Sequence, residues 1–304
     1  MIDAAAIRPI LAGLNMAPLA SMARLNGGSA EVFRLDLEDG TALVLKTYQR
    51  EEMLPHREAH ASNLLAGSEV PHTQYLLIDE SRTRLPERYA LTTYIAGTVG
   101  SEFILHPAHE DLFRGIGGLA RRLHAIELPG FGELPALPYS TNASYVRALA
   151  EHAFEKFLYY GAEPGLAETL RELFDRDFDG IVLAGDRAVF AHDDLHPGNV
   201  LVTRQEAGLS IAGLVDFGNA RASTAVMDLA KTIFICEHEK PGSGEAIRRG
   251  YGPIGHPEPE KALAFYTLLH RVIMWWWLRH IGVLKTPDAE NDLMPALRET
   301  AANG

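Results

Sequence analysis

The 304-residue sequence contains one cysteine, Cys236, so a disulfide within this sequence is impossible and a reducing compartment is expected. Its most apolar segment, residues 272–278, is seven residues long and lies between two arginines, whereas a membrane-spanning helix needs about 20. The N-terminal stretch lacks a basic segment followed by an unbroken apolar run, and it is interpreted as a short amphipathic helix. These absences predict a cytoplasmic chain with no membrane partner.

Positive charge is also scarce. The sequence has 28 lysines and arginines against 40 aspartates and glutamates, which gives a formal net charge of −12. Because it contains no Lys/Arg-rich run, a nucleic-acid partner is not expected. An acidic protein attracts cations, so a cationic small molecule is among the candidate ligands, although many proteins are acidic for solubility alone. The sequence is compatible with a monomer and with a homodimer.

The first third of the chain has the pattern of a β-sheet. Phe33, Leu35 and Leu37 alternate with charged residues, which is typical of a half-buried strand. An E-D-G turn at 38–40 predicts a hairpin to the next strand. The extended segments are expected at 19–25, 31–37, 41–48, 74–79 and 88–94. We therefore predict a five-stranded antiparallel sheet with one inserted helix at about 56–66.

From about residue 107 the pattern becomes helical. Helices are expected over residues 107–126, 143–161, 164–178, 225–238, 259–284 and 288–301, with short strands near 188–191, 200–203 and 209–215. This change predicts an α+β, bilobal architecture. The expected N-terminal lobe spans residues 1–97 with a hinge at about 92–97, and the expected mainly helical C-terminal lobe spans residues 98–304.

Residues 192–201 read H-D-D-L-H-P-G-N-V-L, with His192 and His196 at the spacing of a zinc-binding helix. A zinc helix must continue past its second histidine. Pro197 disfavours a helical conformation for His196, and Gly198 interrupts the helix further. The segment is therefore better interpreted as a loop, and the histidines as supporting residues.

A hairpin follows this loop and ends in V-D-F-G. If its turn is centred between Ala207 and Gly208, Asn199 lies opposite Asp216 at the open end. Asp194 lies on the loop that enters the hairpin. Carboxylate and amide oxygens at one point suit Mg²⁺ better than zinc. An Asn/Asp pair that only caps a hairpin is the alternative for these residues taken alone.

Together, H-x-D-L-H-P-G-N-V-L and V-D-F-G resemble the aminoglycoside phosphotransferase family of protein-kinase-like enzymes, whose relatives include choline, homoserine and fructosamine kinases. G-L-A-R-R-L-H-A (118–125) and M-D-L-A (227–230) are similar to further family motifs. The resemblance implies that Asp194 is the catalytic aspartate that accepts the proton of the substrate hydroxyl. It also implies that Asn199 and Asp216 hold Mg²⁺ at the phosphates of ATP or GTP.

The resemblance also implies a lysine–glutamate pair in the first lobe. Lys46 lies on the third predicted strand, and a buried lysine needs a partner. Glu58 in H-R-E-A-H-A-S-N-L-L fits the family pattern better than Glu51 or Glu52. The pair would fix the α- and β-phosphates; a surface ion pair is the alternative.

Two further segments are expected at the nucleotide. The N-G-G-S-A turn (26–30), with Gly27, Gly28 and Ser29, allows close backbone approach to phosphate, although it is not a G-x-G-x-x-G loop. The resemblance implies that adenine binds the connector through Thr93 and Ile95.

Several residues near the motifs are expected to support the site. Asp228 is expected to hydrogen-bond the backbone of the catalytic loop or to cap a helix. Asp193 stands where the family usually has glycine. There it adds negative charge beside the acceptor and favours an amine-bearing substrate, or it is a solvated side chain.

The expected function is therefore transfer of the γ-phosphate of ATP or GTP to a hydroxyl of a small molecule. The candidate acceptors are an aminoglycoside-like antibiotic and an amine-bearing or sugar metabolite. A protein kinase is disfavoured because only eleven residues separate Asp216 from Asp228, too few for a long activation segment. A non-catalytic nucleotide sensor remains the alternative from a different class.

Overall fold

A computed structural model describes residues 2–25, 30–185, 187–206, 208–287 and 291–304. The chain divides into two compact units. The first consists of Met1–Leu112 and Pro197–Ala220, and the second of Phe113–His196 and Arg221–Gly304. The expected division into a nucleotide-binding lobe (1–97) and a helical lobe with the catalytic loop, metal site and acceptor pocket (98–304) stays a prediction, because packing alone assigns a function to neither unit.

The strands of the described residues are β1 Leu19–Leu25, β2 Val32–Leu37, β3 Ala42–Tyr48, β4 Tyr75–Asp79, β5 Arg88–Thr93, β6 Thr98–Val99, β7 Gly132–Glu133, β8 Val189–Ala191, β9 Val200–Gln205, β10 Gly208–Leu214 and β11 Arg221–Ser223. The helices are α1 Ala4–Gly13, α2 Pro55–Leu64, α3 His109–Leu123, α4 Asn142–Tyr159, α5 Pro164–Val182, α6 Ala225–Glu239, α7 Ser243–Tyr251, α8 Pro259–His280 and α9 Leu293–Asn303.

The first unit contains the predicted five-stranded antiparallel sheet, which is confirmed with the order β1-β2-β3-β5-β4. Phe33, Leu35 and Leu37 point to one buried face, as their alternation requires. Gly40 closes the β2–β3 turn with φ 84°, a conformation that glycine adopts at little cost. Helix α1 packs its buried side chains onto the same core. This core supports β3, the strand that carries Lys46.

A second sheet of the first unit has the order β10-β9-β6. β9 and β10 form the predicted hairpin, and β6 pairs antiparallel with β9 from the chain segment that follows the connector. A Cβ atom at Gly100 would lie 2.7 Å from the carbonyl oxygen of Pro197. The absence of a side chain at this position therefore lets the two backbone segments approach closely.

The second unit is mainly helical around an aromatic core. Phe157 contacts Trp275 edge-to-face with ring centroids 4.9 Å apart, and Phe174 stacks on Phe265 at 4.7 Å. Gly117 of α3 and the C-terminal part of α7 touch through backbone atoms, since a Cβ at Gly117 would lie 2.0 Å from a carbonyl oxygen of α7. A small sheet, β7-β11-β8, leads into the loop that carries Asp194.

Some predicted elements differ from the structure. Helix α8 ends at His280, four residues earlier than predicted, because Gly282 adopts φ 76° and the amide of Val283 donates to the carbonyl of Leu278 (2.9 Å). The short strands β6, β7 and β11 were not predicted, since strands of two or three residues carry no periodicity. Helix α7 was not predicted either. Among the described residues, no helix combines the length and apolarity that crossing a membrane requires.

Candidate active site

A charge cluster in the first unit is centred on Lys46. Its ammonium group lies 2.8 Å from Oε2 and 3.1 Å from Oε1 of Glu58, and 3.1 Å from Oδ1 of Asp216. Glu58 lies in the first turn of α2, which Pro55 starts with its fixed φ. The side chain of Glu58 is 1% exposed, so the alternative of a surface ion pair is wrong.

Glu58 has two more donors in the same cluster. The hydroxyl of Tyr48 donates to its Oε2 at 3.1 Å, and the hydroxyl of Tyr75 donates to the same oxygen. Tyr48 follows Lys46 by two residues, so the period of a strand puts both side chains on one face of β3. Neither tyrosine was predicted from the sequence. The spacing of two residues between Lys46 and Tyr48 was the sequence signal for Tyr48. Tyr75 has no such signal, because it reaches the cluster from another strand, β4.

The cluster keeps Lys46 charged and both tyrosines neutral. Burial alone lowers the pKa of Lys46, but the carboxylates of Glu58 and Asp216 outweigh it and raise that pKa above its ordinary value. Burial, together with the charge of Glu58, raises the pKa of Tyr48 and of Tyr75. The result is a fixed ammonium group held against two carboxylates.

Asp216 and Asn199 both lie in the first unit, but not directly opposite each other. Leu214 pairs with Val200, and the amide of Val215 donates to the carbonyl of Asn199 (3.0 Å). The residue opposite Asn199 is therefore Val215, and the predicted register is wrong by one position. The register that starts at the Gln205–Gly208 pair shifts at an irregularity between Ile211 and Gly213.

The donor set of these two residues fits Mg²⁺. The side chain of Asp216 is 48% exposed and adopts φ 63°, a backbone conformation that aspartate tolerates better than most residues. Asn199 ends the short 3-10 helix Pro197–Asn199. A carboxylate and an amide supply hard oxygen ligands. Among the described residues, no group of three or more His, Cys, Asp and Glu side chains that could hold a metal ion is found.

The loop that carries Asp194 lies in the second unit and is anchored by Asp228. The carboxylate of Asp228 accepts the amide of His192 (3.2 Å) and that of Asp193 (2.8 Å), while His124 Nε2 lies 2.9 Å away. Burial raises the pKa of Asp228, but the hydrogen bond from His124 outweighs it and lowers that pKa below its ordinary value. The expected bond from Asp228 to the loop backbone is thus present.

Asp193 is buried in this unit and paired with two cations. Its Oδ2 lies 3.0 Å from Arg221 Nε and 3.0 Å from Lys231 Nζ. Burial opposes ionisation, but Arg221 and Lys231 prevail and lower the pKa of Asp193. The expectation of a solvated side chain is wrong, because the residue is only 5% exposed. Since its charge is already compensated, the structure gives no support for a role in binding an amine.

Asp194 is the half-buried member of this loop, between buried neighbours Asp193 and Leu195. His192 is fully buried and His196 Nδ1 lies 2.8 Å from Glu239 Oε1, as expected of side chains that support the loop. A half-buried carboxylate on an anchored loop has a fixed position and stays accessible to a small molecule. That combination suits a general base.

The remaining predicted residues are placed as follows. Gly27, Gly28 and Ser29 lie outside the described residues. Thr93 ends β5; its amide donates to the carbonyl of Gln74 (2.9 Å) and its carbonyl accepts the hydroxyl of Thr73 (3.0 Å). Ile95 follows in the connector and packs against Gly213, where a Cβ would lie 2.5 Å from Ile95 Cδ1. The adenine contacts of the connector stay a prediction.

Residues 22–265 match the phosphotransferase enzyme family (APH), which is most of the chain. The chain belongs to this family, and the resemblance inferred from its motifs is confirmed. No curated protein sequence matches the chain.

Solved structures with the same fold cover nearly the whole chain. One is a thermostable mutant of aminoglycoside phosphotransferase APH(4)-Ia in complex with AMP-PNP and hygromycin B (TM-score 0.71, 15% identity, 98% of this chain and 97% of that chain). Another is the macrolide 2′-phosphotransferase MphH of Brachybacterium faecium (0.64, 17%, 98% and 96%). A third is the GDP complex of aminoglycoside 2′-phosphotransferase-IIIa (0.65, 17%, 97% and 96%). They confirm the protein-kinase-like fold.

Proposed function

We propose that this phosphotransferase moves the γ-phosphate of ATP or GTP to a hydroxyl of a small molecule in the cytoplasm. The single observation that carries the proposal is the Lys46 cluster. An ammonium group is held in place by a buried carboxylate, Glu58, and by a half-exposed one, Asp216. Structures of the same fold contain AMP-PNP or GDP, which supports a nucleotide as the phosphate donor.

Lys46 would bind the α- and β-phosphates, and Glu58 would hold its ammonium group in position. The charge on Lys46 is secure at any physiological pH, because the neighbouring carboxylates raise its pKa. A fixed cation stabilises the negative charge that builds up on the leaving diphosphate. Thr93 and Ile95 of the connector are the proposed contacts of the base, and residues 26–30 are the proposed contacts of the phosphates.

Asn199 and Asp216 would hold Mg²⁺, which neutralises phosphate charge when bound. Their oxygens match the preference of that ion. Both residues lie at the open end of the β9–β10 hairpin, one position out of direct register.

Asp194 would act as the base. The acceptor oxygen forms a bond to the γ-phosphorus while the bond from that phosphorus to the bridging oxygen of the β-phosphate breaks. The nucleoside diphosphate leaves with the electron pair, and the hydroxyl proton passes to the carboxylate of Asp194. Asp228 contributes by holding the backbone of the loop through two amide hydrogen bonds.

The acceptor is proposed to be an aminoglycoside-like antibiotic or an amine-bearing or sugar metabolite. Proteins of the same fold are complexed with hygromycin B or named as macrolide phosphotransferases. The net charge of −12 favours a cationic acceptor through long-range attraction.

The proposal is tested by phosphate transfer from radiolabelled ATP and GTP to a panel of aminoglycosides, macrolides, amino alcohols and sugars. The panel is run with wild-type protein, Asp194→Asn, and Asp179→Asn as a control. Asp179 is exposed on α5, so we expect its substitution to leave turnover unchanged. We expect Asp194→Asn to lower kcat by about 10²–10⁴-fold, the contribution of a general base.

Two results would count against the proposal. If nucleotide binds tightly and no acceptor in the panel is phosphorylated, a non-catalytic sensor becomes the better description. If Asp194→Asn turns over like the Asp179→Asn control, the base is another residue.

A further inference from the structure

Asp193 precedes the proposed base and adopts a left-handed backbone conformation with φ 54°. This conformation is strained for a residue with a Cβ atom, although less so for aspartate than for most residues, whereas glycine adopts it freely. Aspartate at this position is therefore retained at a backbone cost. The contacts of Asp193 with Arg221 and Lys231, together called the Asp193 cluster, offset that cost.

Within the Asp193 cluster, Lys231 binds both the backbone carbonyl and the side-chain carboxylate of Asp193. Its ammonium group donates to the carbonyl oxygen of Asp193 at 2.5 Å and to Oδ2 of the same residue at 3.0 Å. Arg221 reaches the carboxylate through Nε and the hydroxyl of Tyr145 through Nη1 (3.3 Å). The two cations therefore share one carboxylate, and Lys231 also holds the backbone carbonyl of Asp193.

The carbonyl of Asp193 belongs to the peptide unit that ends at the Cα of Asp194. Because a peptide unit is planar, a fixed carbonyl oxygen fixes the amide nitrogen and Cα that follow it. On the other side, the amide of Asp193 is held by Asp228 at 2.8 Å. The backbone just before Asp194 is thus restrained from both ends, by an anion at the amide and by a cation at the carbonyl.

We propose that Lys231 is a positioning residue: by holding the carbonyl and the carboxylate of Asp193, it sets the orientation from which the carboxylate of Asp194 meets the acceptor hydroxyl. This inference rests on the proposed function, since it assigns a role relative to the base. In this role Lys231 acts on Asp193 and not on the substrate. Its effect reaches them through the peptide unit between residues 193 and 194.

The chain offers a comparison between the two cations. Lys231→Met and Arg221→Met each remove one of the two cations that contact the carboxylate of Asp193. In each variant one cation remains paired with that carboxylate. Lys231→Met also removes the hydrogen bond that the ammonium group donates to the carbonyl of Asp193. A general loss of charge or stability would affect both variants alike, whereas loss of positioning affects Lys231→Met far more.

The experiment measures kcat and the KM for ATP at saturating Mg²⁺. The acceptor is the compound of the panel that gives the highest turnover with wild-type protein. We expect Lys231→Met to lower kcat by about 10- to 100-fold, the cost of a displacement of about 1 Å at a catalytic group. The KM for ATP should change by less than about 2-fold, because the Lys46 cluster is intact. Arg221→Met should lower kcat by no more than about 3-fold.

Two further variants sharpen the result. Lys231→Arg keeps a cation within reach of both oxygens of Asp193 and should recover most of kcat. Lys261→Met removes the lysine of a partly exposed pair with Asp177 (2.9 Å) on the same unit and should leave turnover unchanged. If Lys231→Met does not fold, Lys231→Gln, whose side chain is one bond too short, replaces it with the same expected loss.

The outcomes separate the two proposals. Absence of wild-type turnover overturns the proposed function and this inference with it. Wild-type turnover combined with an unchanged kcat in Lys231→Met overturns the inference alone. An equal loss in Arg221→Met and Lys231→Met also overturns it, because the cluster would then be an ion pair that only stabilises the fold.

Discussion

Glu58→Gln is expected to destabilise the first unit strongly, although the two side chains have nearly the same shape. The carboxylate of Glu58 accepts from the ammonium group of Lys46 and from the hydroxyls of Tyr48 and Tyr75. A glutamine has one carbonyl oxygen with two acceptor sites, and its NH₂ group adds two donors to a site that already holds three donor groups. At least one buried donor must lose its acceptor.

The magnitude follows from the burial of the pair. Removing one partner of a buried ion pair costs about 3–5 kcal/mol, because the remaining charge is left uncompensated. Lys46 keeps Asp216 at 3.1 Å, but that carboxylate is half-exposed and compensates weakly. We therefore expect a loss of about 2–4 kcal/mol, which corresponds to a fall in Tm of roughly 5–10 °C.

The assay is thermal unfolding followed by circular dichroism, repeated in urea, for wild type and two variants. The control is Glu31→Gln, whose pair with Arg24 (3.1 Å) lies on the same sheet with the guanidinium mostly exposed. Exposed pairs contribute about 0–1 kcal/mol, so this control should melt within about 2 °C of wild type. The reasoning is refuted if Glu58→Gln melts as close to wild type as Glu31→Gln does.

Two other predictions concern the metal and pH. Asparagine tolerates φ 63° about as well as aspartate, so Asp216→Asn should change Tm by no more than about 3 °C. The same variant should lose Mg²⁺-dependent nucleotide binding in calorimetry. If it keeps full turnover, the assignment of Asp216 as a metal ligand is wrong. Burial lowers the pKa of His270 to about 4. Because the unfolded histidine gains a proton near pH 6.5 and the folded one does not, stability should fall by up to about 3 kcal/mol between pH 6.5 and 4. In His270→Gln, the free energy of unfolding measured in urea should depend less on pH over this range. If its pH dependence is the same as in wild type, His270 is not the cause of it.

Elements with a strong period could be predicted from the sequence, and elements without one could not. The strand containing Leu35 and the long helices have apolar residues at the spacing of their secondary structure, so one buried face defines them. β11, with three residues, exists because it pairs with β7 and β8, and nothing local to Arg221 indicates this. Helix α7 depends in the same way on packing against neighbours that lie far away in the sequence.

The candidate site shows the same limit. Lys46, Glu58 and Asp216 were predicted from their motifs, and the structure brings them together in one unit. Lys231 was missed, because its role depends on a contact with a residue 38 positions away that no spacing rule anticipates. The register of Asn199 was wrong by one position, since a strand irregularity is a tertiary feature.

The charges of the two clusters differ in sign, which bears on what each can do. Among Lys46, Glu58 and Asp216, two carboxylates face one ammonium group, and the half-exposed carboxylate is the one that supplies the excess charge. An accessible excess of negative charge favours binding of a cation, and the side chain of Asp216, at 48% exposure, is the most accessible of the three. In the Asp193 cluster, two cations face one carboxylate and the carboxylate is buried. Burial opposes ionisation of Asp193, but Arg221 and Lys231 outweigh it and lower its pKa, so the carboxylate is charged at neutral pH. The first cluster is therefore suited to exchange its partners when ligands bind, whereas the second is suited to hold one backbone geometry throughout.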